Sequence, residues 1–159
     1  MNRNQAAALL VPAAAAVALA LVTLRLHFQP PTVPLYAFDR STDGAVLSQA
    51  DTFDVKLRPA APVRGVIGAR GFLVRDEEVR PWDPPFHVDP DGSVRIEGQV
   101  AVLFAGVPPG PWTLAIAVGR PEVLPTAPRD VLRARTDDGS PASWRLLRER
   151  VLLGGSAGG

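Results

Sequence analysis

The sequence reads as an all-β domain, an antiparallel sandwich, preceded by one N-terminal transmembrane helix. Residues 6–24 are nineteen positions without a charge, and Thr23 is their one polar side chain. Beyond residue 34 the apolar residues fall into short runs bounded by Gly, Pro and Asp, the pattern of strands separated by turns. Nothing alternates strand with helix along the chain, and no internal repeat is visible.

Residues 1–5 form a short tail carrying Arg3. As a helix, residues 6–24 reach roughly 28 Å, close to the hydrocarbon thickness of a bilayer. A helix satisfies its own backbone hydrogen bonds there, and the bond forfeited at Pro12 is tolerable as a kink. Small-x-small triplets at Ala16-Val17-Ala18 and Ala18-Leu19-Ala20 would permit signal cleavage. The run stays apolar past them through Leu21, Val22 and Leu24, which favours a retained anchor. Arg3 before the span and Arg25 after it nearly balance the positive-inside count. The strand-rich remainder is therefore expected outside the cytoplasm, a single-pass arrangement in the cell membrane, because the N-terminal tail holds no machinery.

Residues 25–34 read as a stiff spacer, since residues 29–34 hold three prolines in six positions. Strands are expected at 35–39, 53–58, 63–68, 72–75, 94–97, 100–104 and 112–118. The run Thr52-Phe53-Asp54-Val55-Lys56-Leu57-Arg58 alternates cleanly, with Phe53, Val55 and Leu57 on one face. Residues 113–118 (TLAIAV) are apolar on both faces, as a central strand requires. Asp43-Gly44, Asp91-Gly92 and Asp138-Gly139 supply turns, and Pro108-Pro109-Gly110-Pro111 a tight reversal between two strands. Residues 128–135 suit a short helix with Pro128 in its first turn. Residues 144–153 fit either a helix with Trp144, Leu147 and Val151 on one face or a closing strand, and the strand is preferred. The domain thus runs over 35–153, and residues 154–159 form a flexible tail.

Composition removes whole classes of function. Seventeen basic against sixteen acidic residues leave a net charge of +1, too even for a nucleic-acid surface. Sixteen of the seventeen are arginine, a GC-rich codon bias as much as a chemical choice. With no cysteine there are no disulfides, thiolate metal sites or cysteine nucleophiles. His27 and His87 are too few for a histidine-built metal site, and no nucleophile elbow, phosphate-binding loop or dinucleotide fingerprint occurs. No catalytic residue, metal or small-molecule cofactor is expected.

The stretch from Phe104-Ala105-Gly106-Val107 through Pro108-Pro109-Gly110-Pro111 to Trp112-Thr113-Leu114 resembles the strand–turn–strand element of prealbumin-like and carboxypeptidase-regulatory-type modules. That resemblance implies an Ig-like or prealbumin-like sandwich in which Trp112 drops between the sheets. A wider stretch is similar to extracytoplasmic domains of bacterial single-pass membrane proteins, some of them joined to zinc-binding anti-sigma modules. It comprises Gly71-Phe72-Leu73-Val74-Arg75, Arg80-Pro81-Trp82, Asp91-Gly92-Ser93-Val94-Arg95-Ile96 and Ala117-Val118-Gly119-Arg120-Pro121. The five residues before the span hold neither Cys nor His, so the sigma-binding module is expected to be missing and the partner to be supplied elsewhere.

Trp82, beside Pro81 and Pro84-Pro85, and Trp144 are candidate ligand or partner contacts, although capping one end of the core is the preferred reading of each. His87-Val88-Asp89-Pro90-Asp91-Gly92 starts like a calcium loop, but the twelfth position from Asp89 is Val100, so a hairpin turn explains it better. Asp76-Glu77-Glu78 reads as a solvated loop. The expectation is a non-catalytic, membrane-anchored extracytoplasmic interaction or sensing module, accessory to an envelope signalling (sigma-factor) system. Its partners would be the bilayer through residues 6–24 and an unidentified protein, with no nucleic acid. The alternative is a secreted or periplasmic carbohydrate- or peptide-binding sandwich released by signal cleavage.

Overall fold

The computed structural model describes residues 32–39, 44–134 and 142–155. The expected tail, membrane span and most of the spacer lie outside the described residues, as do the turn at Asp138-Gly139 and residues 156–159. Among the described residues, no helix is long and apolar enough to cross a membrane.

The described chain is mostly β-strand, in two sheets. Strands β1 (Tyr36–Phe38), β3 (Thr52–Pro59), β7 (Val94–Gln99) and β6 (Phe86–Val88) form the first, in the order β1-β3-β7-β6. The second, in the order β2-β9-β8-β4-β5, holds β2 (Ala45–Leu47), β9 (Trp144–Leu153), β8 (Gly110–Gly119), β4 (Gly68–Arg75) and β5 (Glu78–Trp82). Phe53, Val55 and Leu57 of β3 and Val94 and Ile96 of β7 meet Leu73, Trp112, Leu114, Ile116, Val118, Leu147 and Val151 in one core between the sheets. The alternation of β3 is thus a sorting of side chains between interior and water.

That solvent face of the first sheet is a ladder of ion pairs. Arg58 meets Asp39 at 2.9 Å, Lys56 meets Asp89 at 2.8 Å, and Arg95 holds Asp54 with two nitrogens and Glu97 at 3.2 Å. Such exposed pairs contribute little stability each, but they leave this face nearly neutral.

The middle of the second sheet is covered on both faces, which accounts for the doubly apolar run of β8. On its outer side Phe72, Ala115, Ala117 and Leu146 pack under Leu124 and Val131 of the β8–β9 crossover. That crossover contains a 3₁₀ turn (Pro121–Val123) and helix α2 (Pro128–Arg133), which opens on Pro128. Arg148 reaches out from β9 to donate to the carbonyls of Val131 and Ala134 at 2.8 and 3.1 Å, placing a cation at the C-terminal end of α2.

Several expectations need correction. The strand expected at 100–104 is helix α1 (Val100–Leu103), closed by the Phe104 N–H donating to the Val100 carbonyl. Val100 and Phe104 face the core four residues apart while Val102 points to water, a helical and not an alternating pattern. Of residues 63–68 only Gly68 is in a strand; the others form the β3–β4 loop. The Pro108–Pro111 segment does not join two paired strands but carries the chain from α1 across to β8 in the other sheet. Glu78 belongs to β5, so the β4–β5 hairpin turns on Asp76 and Glu77 alone, Asp76 at φ 53°. The sandwich is not wholly antiparallel, since β2 runs parallel to β9. Strands β2, β5 and β6 are short and lack an apolar alternation that would reveal them.

Candidate functional site

The two ends of the sandwich differ in character. The chain enters at one end: Val33 is buried, its N–H donates to the Ala142 carbonyl at 2.8 Å, and Arg145 grips the Val33 carbonyl through Nη2 at 3.1 Å and Nε at 3.3 Å. Arg145 is itself buried on the inner face of β9. The β3–β4 loop and the β8–β9 crossover close the same end, tied by the Arg120 guanidinium donating to the Arg64 carbonyl at 2.9 Å.

The opposite end carries two hollows. One, of about 290 Å³, lies between α1, the turn before β3 and the end of β9; Gln49, Val100, Phe104, Val107 and Leu153 line it. Its neighbour, of about 270 Å³, is lined by Val74, Asp76, Pro111, Thr113 and Arg150 among others. Val102 stands beside them 71% exposed, and Val46 and Leu152, paired across β2 and β9, are exposed as well.

Phe104, which lines the first hollow, belongs to an aromatic cluster with Trp82 and Phe53 behind it. Trp82 lies nearly parallel to Phe104 with ring centres 5.2 Å apart, and Phe53 meets both edge-on at 6.2 and 5.6 Å. The Trp82 indole N–H donates to the Leu103 carbonyl at 2.8 Å, so this side chain fastens α1 from behind. Trp82 is 5% exposed, which puts its ring in the core and not on the surface. Trp144 is half-buried on the outer face of β9, packed against the Leu124–Val131 cluster. The two tryptophans singled out in the sequence therefore do not meet.

Trp112 does lie between the sheets, its N–H donating to the Pro108 carbonyl at 2.9 Å, and the Arg75 guanidinium sits 4.3 Å from its ring centre. Glu78 bonds both Arg80 and Arg75, and the Arg80 hydrogen bond chiefly holds its carboxyl below the ordinary range. Asp91 is lowered likewise, first by the Ser93 N–H and then by the Ser93 hydroxyl, while Asp89 binds Lys56. Residues 89–93 thus bond among themselves and to Lys56 as a hairpin turn does, and no group of three metal-binding side chains occurs among the described residues. Gln49, Phe104, Val107 and Leu153 were not legible as site residues. The one signal was Val102, an apolar residue out of phase with its helical neighbours.

Comparison with known proteins yields no match among family models, curated proteins or solved structures.

Proposed function

We propose that this chain is a membrane-anchored extracytoplasmic module of Ig-like architecture that works by binding, not catalysis, and serves an envelope signalling system through its tether-distal end. One observation carries the reading. Both hollows and exposed Val46, Val102 and Leu152 gather at the end opposite to the entry of Val33. A domain held at one end presents the other to its partners, and loops and concave ends on a rigid scaffold are where binding residues gather.

The finer fold reading has support in the strand order. The sets β1-β3-β7-β6 and β2-β9-β8-β4-β5 correspond to the two sheets of an immunoglobulin-type sandwich, with the N-terminal chain switching from the first sheet to the second.

A single cysteine at Val102 tests the topology, because the sequence has no other. A membrane-impermeant maleimide should label V102C in intact cells, and the protein should stay in the membrane after carbonate washing. Labelling only after lysis would reverse the orientation. A mature chain beginning after Ala18 or Ala20 would favour the released, ligand-binding sandwich instead. For the binding end, a photo-crosslinking residue at Val102 should capture a discrete partner that the same residue at Ala37, on the ion-pair face, does not. Equal capture at both positions would refute the assignment of that end.

A further inference from the structure

We propose that the tether-proximal end of the sandwich rests on the lipid surface, with Val66 entering the headgroup region and Arg64 meeting lipid phosphate. The inference rests on the membrane-anchor reading above and adds a second contact with the bilayer. Val66 is 71% exposed, at the tip of the loop from β3 to β4. Ala61, Pro62, Arg64 and Gly65 are exposed beside it, and residues 60–67 include no acidic side chain. Leu35 and Val123 are exposed large apolar residues of the same end.

The tip is held, not loose. Arg120 donates to the Arg64 carbonyl, the Ala60 N–H donates to the Leu35 carbonyl at 2.8 Å, and Ile67 is buried. Gly65 has φ 87° and lies against the Arg120 guanidinium, so the turn presents Val66 outward and the cost of ordering it on contact is reduced. Among the described residues, the acidic groups of this end are Asp89, paired with Lys56, Asp91, bonded to Ser93, and the exposed Glu122 in the 3₁₀ turn. An apolar side chain with a guanidinium next to it matches the boundary between acyl chains and phosphate.

The length of the tether selects lipid over other occupants. Eight residues separate Leu24 from Val33, and as an extended chain they cover at most about 30 Å. Val33 is locked into this same end by Ala142 and Arg145. The bilayer is thus always within reach of the loop, and a weak contact is sufficient when the second binding event is intramolecular.

The test uses the full chain in phosphatidylcholine–phosphatidylglycerol vesicles, with V66C or V102C carrying an environment-sensitive fluorophore. Nitroxide-labelled lipid should quench the label at position 66 several-fold more than the label at 102. R64E should reduce that quenching, as should vesicles of phosphatidylcholine alone. Equal quenching at both positions, in protein that floats with the vesicles, overturns the lipid contact and leaves the anchor standing. Protein that does not float with the vesicles overturns the anchor, and the lipid contact with it.

Discussion

Replacing Trp82 separates a core role from a ligand platform. The ring is 5% exposed, stacked on Phe104 and edge-on to Phe53, with its N–H on the Leu103 carbonyl. A buried tryptophan removes about 200 Å² from water, which at about 25 cal/mol/Å² is a ceiling of ~5 kcal/mol. Denatured-state compaction lowers that figure, whereas the cavity left behind raises it, so Trp82→Ala should cost about 3–5 kcal/mol. Trp82→Phe keeps an aromatic face toward Phe104 but loses the hydrogen bond and part of the area. Its cost should be about 1.5–2 kcal/mol, with about 1 kcal/mol of it from the unmet Leu103 carbonyl. Urea unfolding followed by far-UV circular dichroism reads both changes as shifts in midpoint at constant slope. The reasoning fails if Trp82→Ala costs less than about 1 kcal/mol, or if Phe is no better than Ala. Because Trp82 fastens α1, both substitutions should also loosen the hollow at Val100 and Phe104, and amide exchange in α1 should rise with them.

Three further outcomes are expected. The Tyr36 hydroxyl donates to the Gly92 carbonyl at 2.9 Å, and burial, then the charge of Asp91, push its pKa from 10.0 up to about 12. The unfolded phenol ionises first, so this contribution is complete below pH 10 and is lost as pH rises from 10 towards 12. The ceiling is about 2.7 kcal/mol, reduced to about 1–2 because the group is partly screened by solvent; Tyr36→Phe should abolish this alkaline limb. Tyrosinate absorbance reads this side chain alone, since the sequence has one tyrosine. Asp76→Gly should stabilise by about 0.5 kcal/mol, since Asp76 is the one non-glycine residue with positive φ among those described; a lower urea midpoint would contradict this. Arg145→Leu removes a buried charged donor from the Val33 carbonyl and should cost about 1.5–3 kcal/mol. Amide exchange at Val33 should accelerate in that variant, and unchanged protection would refute the clamp.

How far the sequence could be read depended on where each residue's packing partner lay. The alternation in β3 and the doubly apolar run of β8 were legible, because burial on one face or both leaves a period in the residues themselves. Residues 144–153 were ambiguous for a physical reason. The inward positions of β9 include Arg145 and Glu149, both buried, so its apolar pattern does not alternate strictly. The hollow lined by Gln49, Phe104 and Leu153 could not be foreseen, since it joins three segments that meet only at one end of the sandwich.

Local chemistry, then, accounts for the β-rich character, the hairpin turn at Asp91-Gly92 and the Pro128 helix start. These depend on dihedral preference and apolar period over a few neighbouring residues. Folding of the whole chain decided the rest: the helical turn at Val100–Leu103, the parallel β2–β9 pair, the crossover that covers the second sheet, and the inward Arg145. Each depends on a contact between residues far apart in the chain, such as Val33 with Ala142, and no short stretch of sequence carries the free energy of such a contact.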